Sequence, residues 1–439
     1  MKEQLKKEIL KKVKEYYEQT HKTKRFVPGK DVIHYGGRVF DEKEMQAFVS
    51  SALDFWLTSG RETERFEKAF SSFLGAKEAL LTNSGSSANL LAVSALCSPQ
   101  MKDGLKPGDE VITPAVTFPT TLNPIIQNGL VPVFLDAGLE TLNMETGLLE
   151  EAVSDKTRAM LIPHTLGNPN DMDLITKFAK ANDLFLIEDA CDALGSRWDG
   201  RLLGTFGHLS TFSFYPAHHI TLGEGGAVAT SDFNTAVIVR SLRDWGRACV
   251  CPVCKLNVDP DAKCDLRYDN NVKGLPDDYD RRYIYTNVGY NLKALDPQAA
   301  MGVEQLKKLP GFIKARKENF KRLYEAFSDY GDYFILPKAL KKADPSWFAF
   351  PLTIRAESGL KRSEITSWYL EKKIEYRMLF AGNITRQPAY KDVKHRAVGD
   401  LKNSDYITEN TFFLGIYPGI GREMLDYMVE KTREFMRKR

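Results

Sequence analysis

The sequence predicts an α/β fold: a large domain with a mostly parallel central sheet and helices on both faces, joined to a smaller C-terminal α+β domain. Three observations predict it. Short apolar runs bounded by turn residues alternate with amphipathic helical stretches from about Asp41 to Thr230, which is the pattern of parallel strands joined by helical crossovers. A second set of elements follows residue 310 and does not continue that alternation. The length, 439 residues, exceeds what one hydrophobic core usually serves.

Taken in order, MKEQLKKEILKKVKEYYEQ puts Leu5, Ile9, Val13 and Tyr16 at helical spacing, so an N-terminal helical arm over 1–30 is expected to pack one apolar stripe on the body. The large domain is expected over 31–310. Its first helix, over 64–75, ends at a glycine. Strands are expected at 78–82, 109–114, 130–136, 158–164 and 184–190. Helices are expected at 87–96 and 172–182, and two further strands at 208–216 and 224–230. The stretch 247–285 is polar, holds four of the six cysteines and reads as a long functional loop. The small domain, over 311–439, opens with a helix at 312–327, then a strand at 347–355 and a helix at 362–373.

Composition excludes several classes. Hydrophobic residues are 43% and charged residues 27%, ordinary for a globular chain. A net charge of +3 is too balanced for a dedicated nucleic-acid or polybasic membrane binder. No apolar run approaches the ~18 residues that cross a bilayer, and no signal-peptide core is present, so a cytoplasmic address is expected. Six cysteines in so long a chain do not suggest a disulfide framework.

Three motifs carry chemistry. TNSGSSANLLAV (82–93) runs from strand through small residues into a helix; free N–H groups and the helix dipole there suit a phosphate, or serve capping alone. LFLIEDACDALGS (184–196) ends an apolar strand on Glu188–Asp189, delivering a carboxylate where open α/β sheets bind ligands, unless it merely starts a loop. TFSFYPAHHITLGEGGAV (211–228) ends a strand on His218 and His219, side chains suited to proton transfer near neutral pH.

In this order the motifs resemble the fold-type I pyridoxal-phosphate enzymes, in particular the sugar aminotransferases that act on nucleotide-linked keto-sugars. The resemblance extends from TSGRETERFE (58–67) through PAVTFPTTLNP (114–124), GNPND (167–171) and SFYPAHH to GYNLKALDPQAAMG (289–302). It implies a homodimer, Gly85 and Ser86 on the cofactor phosphate with Ser213 adding a hydroxyl, Phe118 stacked on the pyridine ring, Asp189 on the pyridine nitrogen, and Asn291 reaching the phosphate from the neighbouring subunit. One departure decides the function. The family lysine that tethers the cofactor lies five residues after the serine of SF; here that position is His218, and no lysine occurs between Lys180 and Lys255. Imidazole cannot form a Schiff base with an aldehyde, so the cofactor is expected as non-covalent pyridoxamine phosphate, as in the sugar 3-dehydratases of 3,6-dideoxyhexose pathways. His218 is then the expected base and His219 the runner-up, with His164 near the sugar.

The cysteines resemble the cluster-bearing type of these dehydratases, which act on CDP-4-keto-6-deoxy-D-glucose. That resemblance implies a [2Fe-2S] cluster on Cys191, Cys249, Cys251 and Cys264, reduced by a separate NAD(P)H-dependent reductase. The interval from Cys251 to Cys264 is longer than the resemblance expects, so Cys254 is the rival fourth ligand. Four thiolates also suit zinc. Cys97, in an apolar helical run, reads as core. The alternatives are a cluster-free dehydratase, a transaminase with a displaced lysine, and a non-catalytic regulator.

Overall fold

The computed structural model describes all residues of the chain except 23–24, 250, 252–253, 255, 257–260 and 270–271. Helix α1 (Lys2–Thr20) lies against α2 (Glu42–Asp54). Its contacts are polar as much as apolar: Lys6 pairs with Asp54 at 2.9 Å and Gln46 donates to the Leu10 carbonyl. Leu5 and Tyr16 are exposed, so the expected stripe is only partly buried. The half-buried positions are Lys6, Ile9, Leu10, Val13, Glu15 and Tyr17, and Tyr17 packs against Phe40.

The alternating segment then forms α3 (Arg61–Leu74), β1 (Glu78–Thr82), α4 (Gly85–Leu96), β2 (Glu110–Pro114), α5 (Pro119–Gln127), β3 (Val131–Leu135), β4 (Thr157–Pro163), α6 (Met172–Ala181), β5 (Phe185–Asp189), β6 (Leu209–Ser213), β7 (Gly226–Thr230) and α7 (Phe233–Arg243). Gly75 closes α3 with φ 75°, the left-handed conformation that glycine adopts without strain. The sheet order is β1-β7-β6-β5-β4-β2-β3, and the short β11 (Arg396–Ala397) adds to the β3 edge. All neighbours are parallel except β7, which runs antiparallel to both β1 and β6. Two cores, one on each face, bury the apolar sides of the strands; Ile112 and Ile162 belong to one, Val111 and Leu161 to the other. Strands covered on both faces read as continuous apolar runs, which is why their positions were legible.

The expected helix start at Phe312 is different. The helix expected at 312–327 is the end of α8, which runs unbroken from Asp296 to Phe327 through Pro310. Proline removes one helical hydrogen bond, but Leu309 and Phe312 on either side are buried in the first core, and that packing carries the helix across. A second sheet of order β8-β9-β12-β10 follows, made of β8 (Phe334–Ile335), β9 (Ala349–Ile354), β10 (Tyr376–Met378) and β12 (Thr411–Gly415). It packs its own core around Phe327, Phe350, Tyr369 and Phe412.

The stretch 247–285 leaves the large sheet on a stem. Arg247 bridges Tyr285, the Ala248 N–H donates to the Ile284 carbonyl at 2.8 Å, and Asp244 bridges Asn291. Beyond the stem, Asp280 is held by Arg267 and Arg282. Several residues of the excursion lie outside those described. No helix among the described residues is long and apolar enough to cross a membrane.

Strand β7 sets the position of α4. A Cβ on Gly226 would stand 2.4 Å from the Ser84 carbonyl carbon and oxygen and 2.6 Å from the Gly85 nitrogen, all backbone atoms at the start of α4. Gly226→Ala should therefore push that helix N-terminus off the sheet. An overpacking loss of about 1–3 kcal/mol is expected in denaturant unfolding, with weakened anion binding at the helix start; unchanged stability and anion affinity would contradict it.

Candidate active site

The C-terminal ends of the parallel strands open into a cavity of about 420 Å³. Its floor is built by the large sheet. Helix α4 begins there: Ser84 caps it by accepting from the Ser87 N–H at 3.1 Å. Gly85 and Ser86 occupy the first helical positions, whose N–H groups have no partner within a helix. Gly85 must be glycine, since a Cβ would lie 2.4 Å from the Ser213 Cβ. Ser213, at the end of β6, thus stands directly beside the helix start, and both line the cavity. This arrangement suits a phosphate group.

Asp189, at the end of β5, is 6% exposed. Its Oδ2 accepts from Asn89 Nδ2 at 2.8 Å and Thr121 Oγ1 at 2.7 Å, and its Oδ1 from the Cys191 N–H at 3.2 Å. Thr211 donates to Asn89 Oδ1 at 2.5 Å and so orients that amide. Among the described residues, no lysine, arginine or histidine lies within ion-pair distance of Asp189. A buried carboxylate with neutral donors and no cationic partner fits a site that receives a cation, such as a protonated pyridine nitrogen. Phe118, 49% exposed, stands at the mouth edge-on to Phe380. The cradle, the lone carboxylate and this ring fit pyridoxamine phosphate.

His218 lines the same cavity. Its Nδ1 is 2.8 Å from the Cys191 carbonyl; a carbonyl only accepts, so Nδ1 carries the proton and Nε2 the lone pair. Burial, with Arg316 nearby, pushes its pKa down to about 4, so the ring is neutral at pH 7. Asp192 lies 3.6 Å from Nδ1, and burial beside Asp189 raises its pKa to about 7. His219 turns away: its Nε2 donates to the Ser346 carbonyl at 2.7 Å, and it does not line this cavity. His164 lines the cavity but is fully buried. Its Nδ1 accepts from the Asn170 N–H and its Nε2 faces Glu188 at 3.3 Å, so both nitrogens are engaged inside the protein.

The remaining expected residues lie elsewhere. Asn291 is exposed on the stem, accepts from Lys293 Nζ at 2.8 Å and does not line this chain's cavity. Cys191 lines the cavity among Asp189 and Asp192, and burial pushes its thiol pKa well up. On the excursion, burial and the neighbouring Cys249, Cys264 and Cys254 raise the pKa of the Cys251 thiol. Cys191 is not among them, and the four-thiolate set is not assembled. No group of three or more His, Cys, Asp or Glu among the described residues could hold a metal. Cys97 is half-buried, and burial raises its pKa to about 11.

Sequence reasoning missed four functional positions. Asn89 and Thr121, which hold Asp189, stand inside the motifs 82–93 and 114–124 but were given no role there. Arg316 is fully buried on α8 and donates to the Phe348 carbonyl at 2.8 Å and the His218 carbonyl at 3.2 Å. Arg377, on β10, lines the cavity from the second sheet. No spacing in the sequence links it to the motifs.

Comparison with known proteins agrees with this geometry. The family model described as "DegT/DnrJ/EryC1/StrS aminotransferase family" matches residues 39–252 and 259–433. The lipopolysaccharide biosynthesis protein RfbH of Salmonella typhimurium is 47% identical over 98% of both chains. The dTDP-4-dehydro-2,6-dideoxy-D-glucose 3-dehydratase of Saccharopolyspora spinosa is also 47% identical, over 98% of this chain and 92% of its own. A crystal structure of GDP-4-keto-6-deoxymannose-3-dehydratase, with a trapped PLP-glutamate geminal diamine, superposes with a TM-score of 0.81 at 31% identity, covering 91% of this chain and 99% of that one. The sheet order, the cavity and these matches have one reading: this chain has the fold-type I pyridoxal-phosphate fold and belongs to the DegT/DnrJ/EryC1/StrS aminotransferase family.

Proposed function

We propose that this protein is a pyridoxamine phosphate-dependent 3-dehydratase of a nucleotide-linked 4-keto-6-deoxy-hexose. One observation carries the reading. At the tether position the cavity presents a neutral imidazole, and no lysine is among the described residues that line it. Relatives named as 3-dehydratases at 47% and 34% identity support the reaction class.

When bound, pyridoxamine phosphate supplies a primary amine for the C4 ketone of the sugar and a ring that takes up electron density. This chain's residues do the rest. Gly85, Ser86 and Ser213 hold the phosphate, Phe118 covers the ring, and Asp189 holds the positive charge at the ring nitrogen. His218 Nε2 accepts a proton while the Cys191 carbonyl keeps Nδ1–H in place; a base aligned in this way contributes ~10²–10⁴-fold. Phe348, Phe380 and Phe413 line the cavity and keep water from the reacting face. Asn291 completes the phosphate site of the neighbouring subunit in a homodimer.

The finer part of the reading is a CDP-linked sugar, a [2Fe-2S] cluster on Cys191, Cys249, Cys251 and Cys264, and a separate reductase. The cysteine spacing supports it, as does the grouping of Cys249, Cys251, Cys254 and Cys264 on one excursion. The described residues do not assemble a four-thiolate site.

Three outcomes are expected. His218→Lys should let added pyridoxal phosphate become covalently attached on borohydride reduction, whereas the unmodified protein should trap none; trapping in the unmodified protein would refute the non-covalent cofactor. His218→Asn should keep its affinity for pyridoxamine phosphate yet lose ~10²–10⁴-fold in solvent exchange at the cofactor's C4′ carbon, and near-normal exchange would remove His218 as the base. Anaerobic reconstitution should give iron and sulfide in equal amounts. Cys251→Ser should lose both while C4′ exchange persists, and Cys254→Ser should keep both. Stoichiometric zinc would refute the cluster.

A further inference from the structure

The cavity has a mouth and a floor that differ in charge. Asp189, His164 and Ser213 are buried and Asp192 is half-buried at the floor, while Phe118, Tyr215, Glu224, Arg377 and Met378 are exposed around the mouth. Carboxylates outnumber cations: Asp189, Asp192 and Glu224 line the cavity, and Arg377 is the one lysine or arginine among its described lining residues. Among the described residues of this chain, an anionic substrate entering this mouth meets a single positive group. The phosphate cradle at Gly85 and Ser86 lies on α4, a different element in a different domain, so the two sites are not the same one.

Arg377 is held ready for an anion. Its guanidinium stacks over the Tyr35 ring at 4.0 Å from the centroid, and Nη1 donates to the adjacent Tyr376 carbonyl at 2.8 Å. The side chain remains 48% exposed. The nearest carboxylate, Glu375, is 4.0 Å away and is engaged closer by His34, at 3.2 Å. A guanidinium has five N–H donors in a fork that matches phosphate oxygens two at a time. Stacking fixes the plane of the fork and leaves donors free.

We propose that Arg377 takes the diphosphate of the nucleotide-linked substrate at the cavity mouth, so that the sugar is drawn inward to His218 and the nucleoside stays outside. This rests on the nucleotide-sugar reading above. It makes Arg377 a substrate-binding residue whose contribution appears in affinity and not in the proton transfer.

The test uses the pyridoxamine phosphate-loaded full chain and three free nucleoside diphosphates, CDP, dTDP and GDP, titrated by calorimetry. At least one should bind the unmodified protein. Arg377→Gln should weaken that binding about 10- to 100-fold, the loss of a charged hydrogen-bonded contact, with Arg377→Lys recovering part of it. Cofactor affinity and thermal unfolding should match the unmodified protein, which separates loss of the anion contact from loss of structure. Full nucleoside diphosphate affinity in Arg377→Gln overturns this assignment and leaves the nucleotide-sugar reading intact. No binding of any of the three to the unmodified protein overturns the reading itself, and this assignment with it.

Discussion

The site is organised around a buried negative charge without a resident counter-charge. A carboxylate taken out of water is costly unless it is hydrogen-bonded and paired. Asp189 satisfies only the first condition: an amide, a hydroxyl and a backbone N–H point at it. Those donors come from three different connections of the sheet, α4 after β1, α5 after β2, and the turn after β5. Each must be in register for the carboxylate to be tolerated, so the parallel arrangement and the site specify each other. The unsatisfied remainder of the charge is what makes the floor of the cavity a receptor for a cation.

A second buried charge joins the domains. Arg316 is fully buried and spans two partners: the Trp347–Phe348 backbone leading into β9 of the second sheet and the Ala217–His218 backbone of the large domain. Burial lowers its pKa to about 9, partly offset by Asp192. Its Nε has no partner among the described atoms, so the guanidinium is held by carbonyl oxygens alone. Those carbonyls fix the turn that carries His218, while the imidazole itself is fixed from the other side by the Cys191 carbonyl. His218 is thus gripped through its main chain and its ring by separate elements.

Much of this was legible in the residues, for a physical reason. Strands buried on both faces must be apolar throughout, so EALLT, LVPVFLD and LFLIEDA announced themselves, and Gly85 and Asp189, at or just past the ends of two of them, fell at the cavity. His218 was legible because it stands where a lysine is expected. What escaped was long-range. Asn89 and Thr121 meet Asp189 only when distant strands become neighbours, and Arg316 looks like any basic residue of a lysine-rich helix. The start of α8 escaped because Pro310–Gly311 carries the local signature of a break, while burial of Leu309 and Phe312 overrides it. The cysteine set was inferred by resemblance, and the fold brings Cys191 to the cavity and the others to the excursion.

The two domains divide the cavity by chemistry as well as by origin. The large domain contributes almost all the polar floor: the α4 start, Asp189, Ser213 and His218. The second sheet and its loops contribute Phe348, Met378, Phe380 and Phe413, an aromatic and aliphatic wall in which Phe348 lies 5.3 Å from the His218 ring and 6.2 Å from Phe413. Apolar surface against the imidazole withdraws it from water, and that desolvation is the first cause of its low pKa. A neutral ring at pH 7 is what the proposed proton acceptor must be, and the wall favours that state of His218 without a hydrogen bond to it. The same wall cannot neutralise an anion. Any negative charge that the ligand brings must therefore be met either at the α4 start in the floor or at the rim, and Arg377 is the one described cation there.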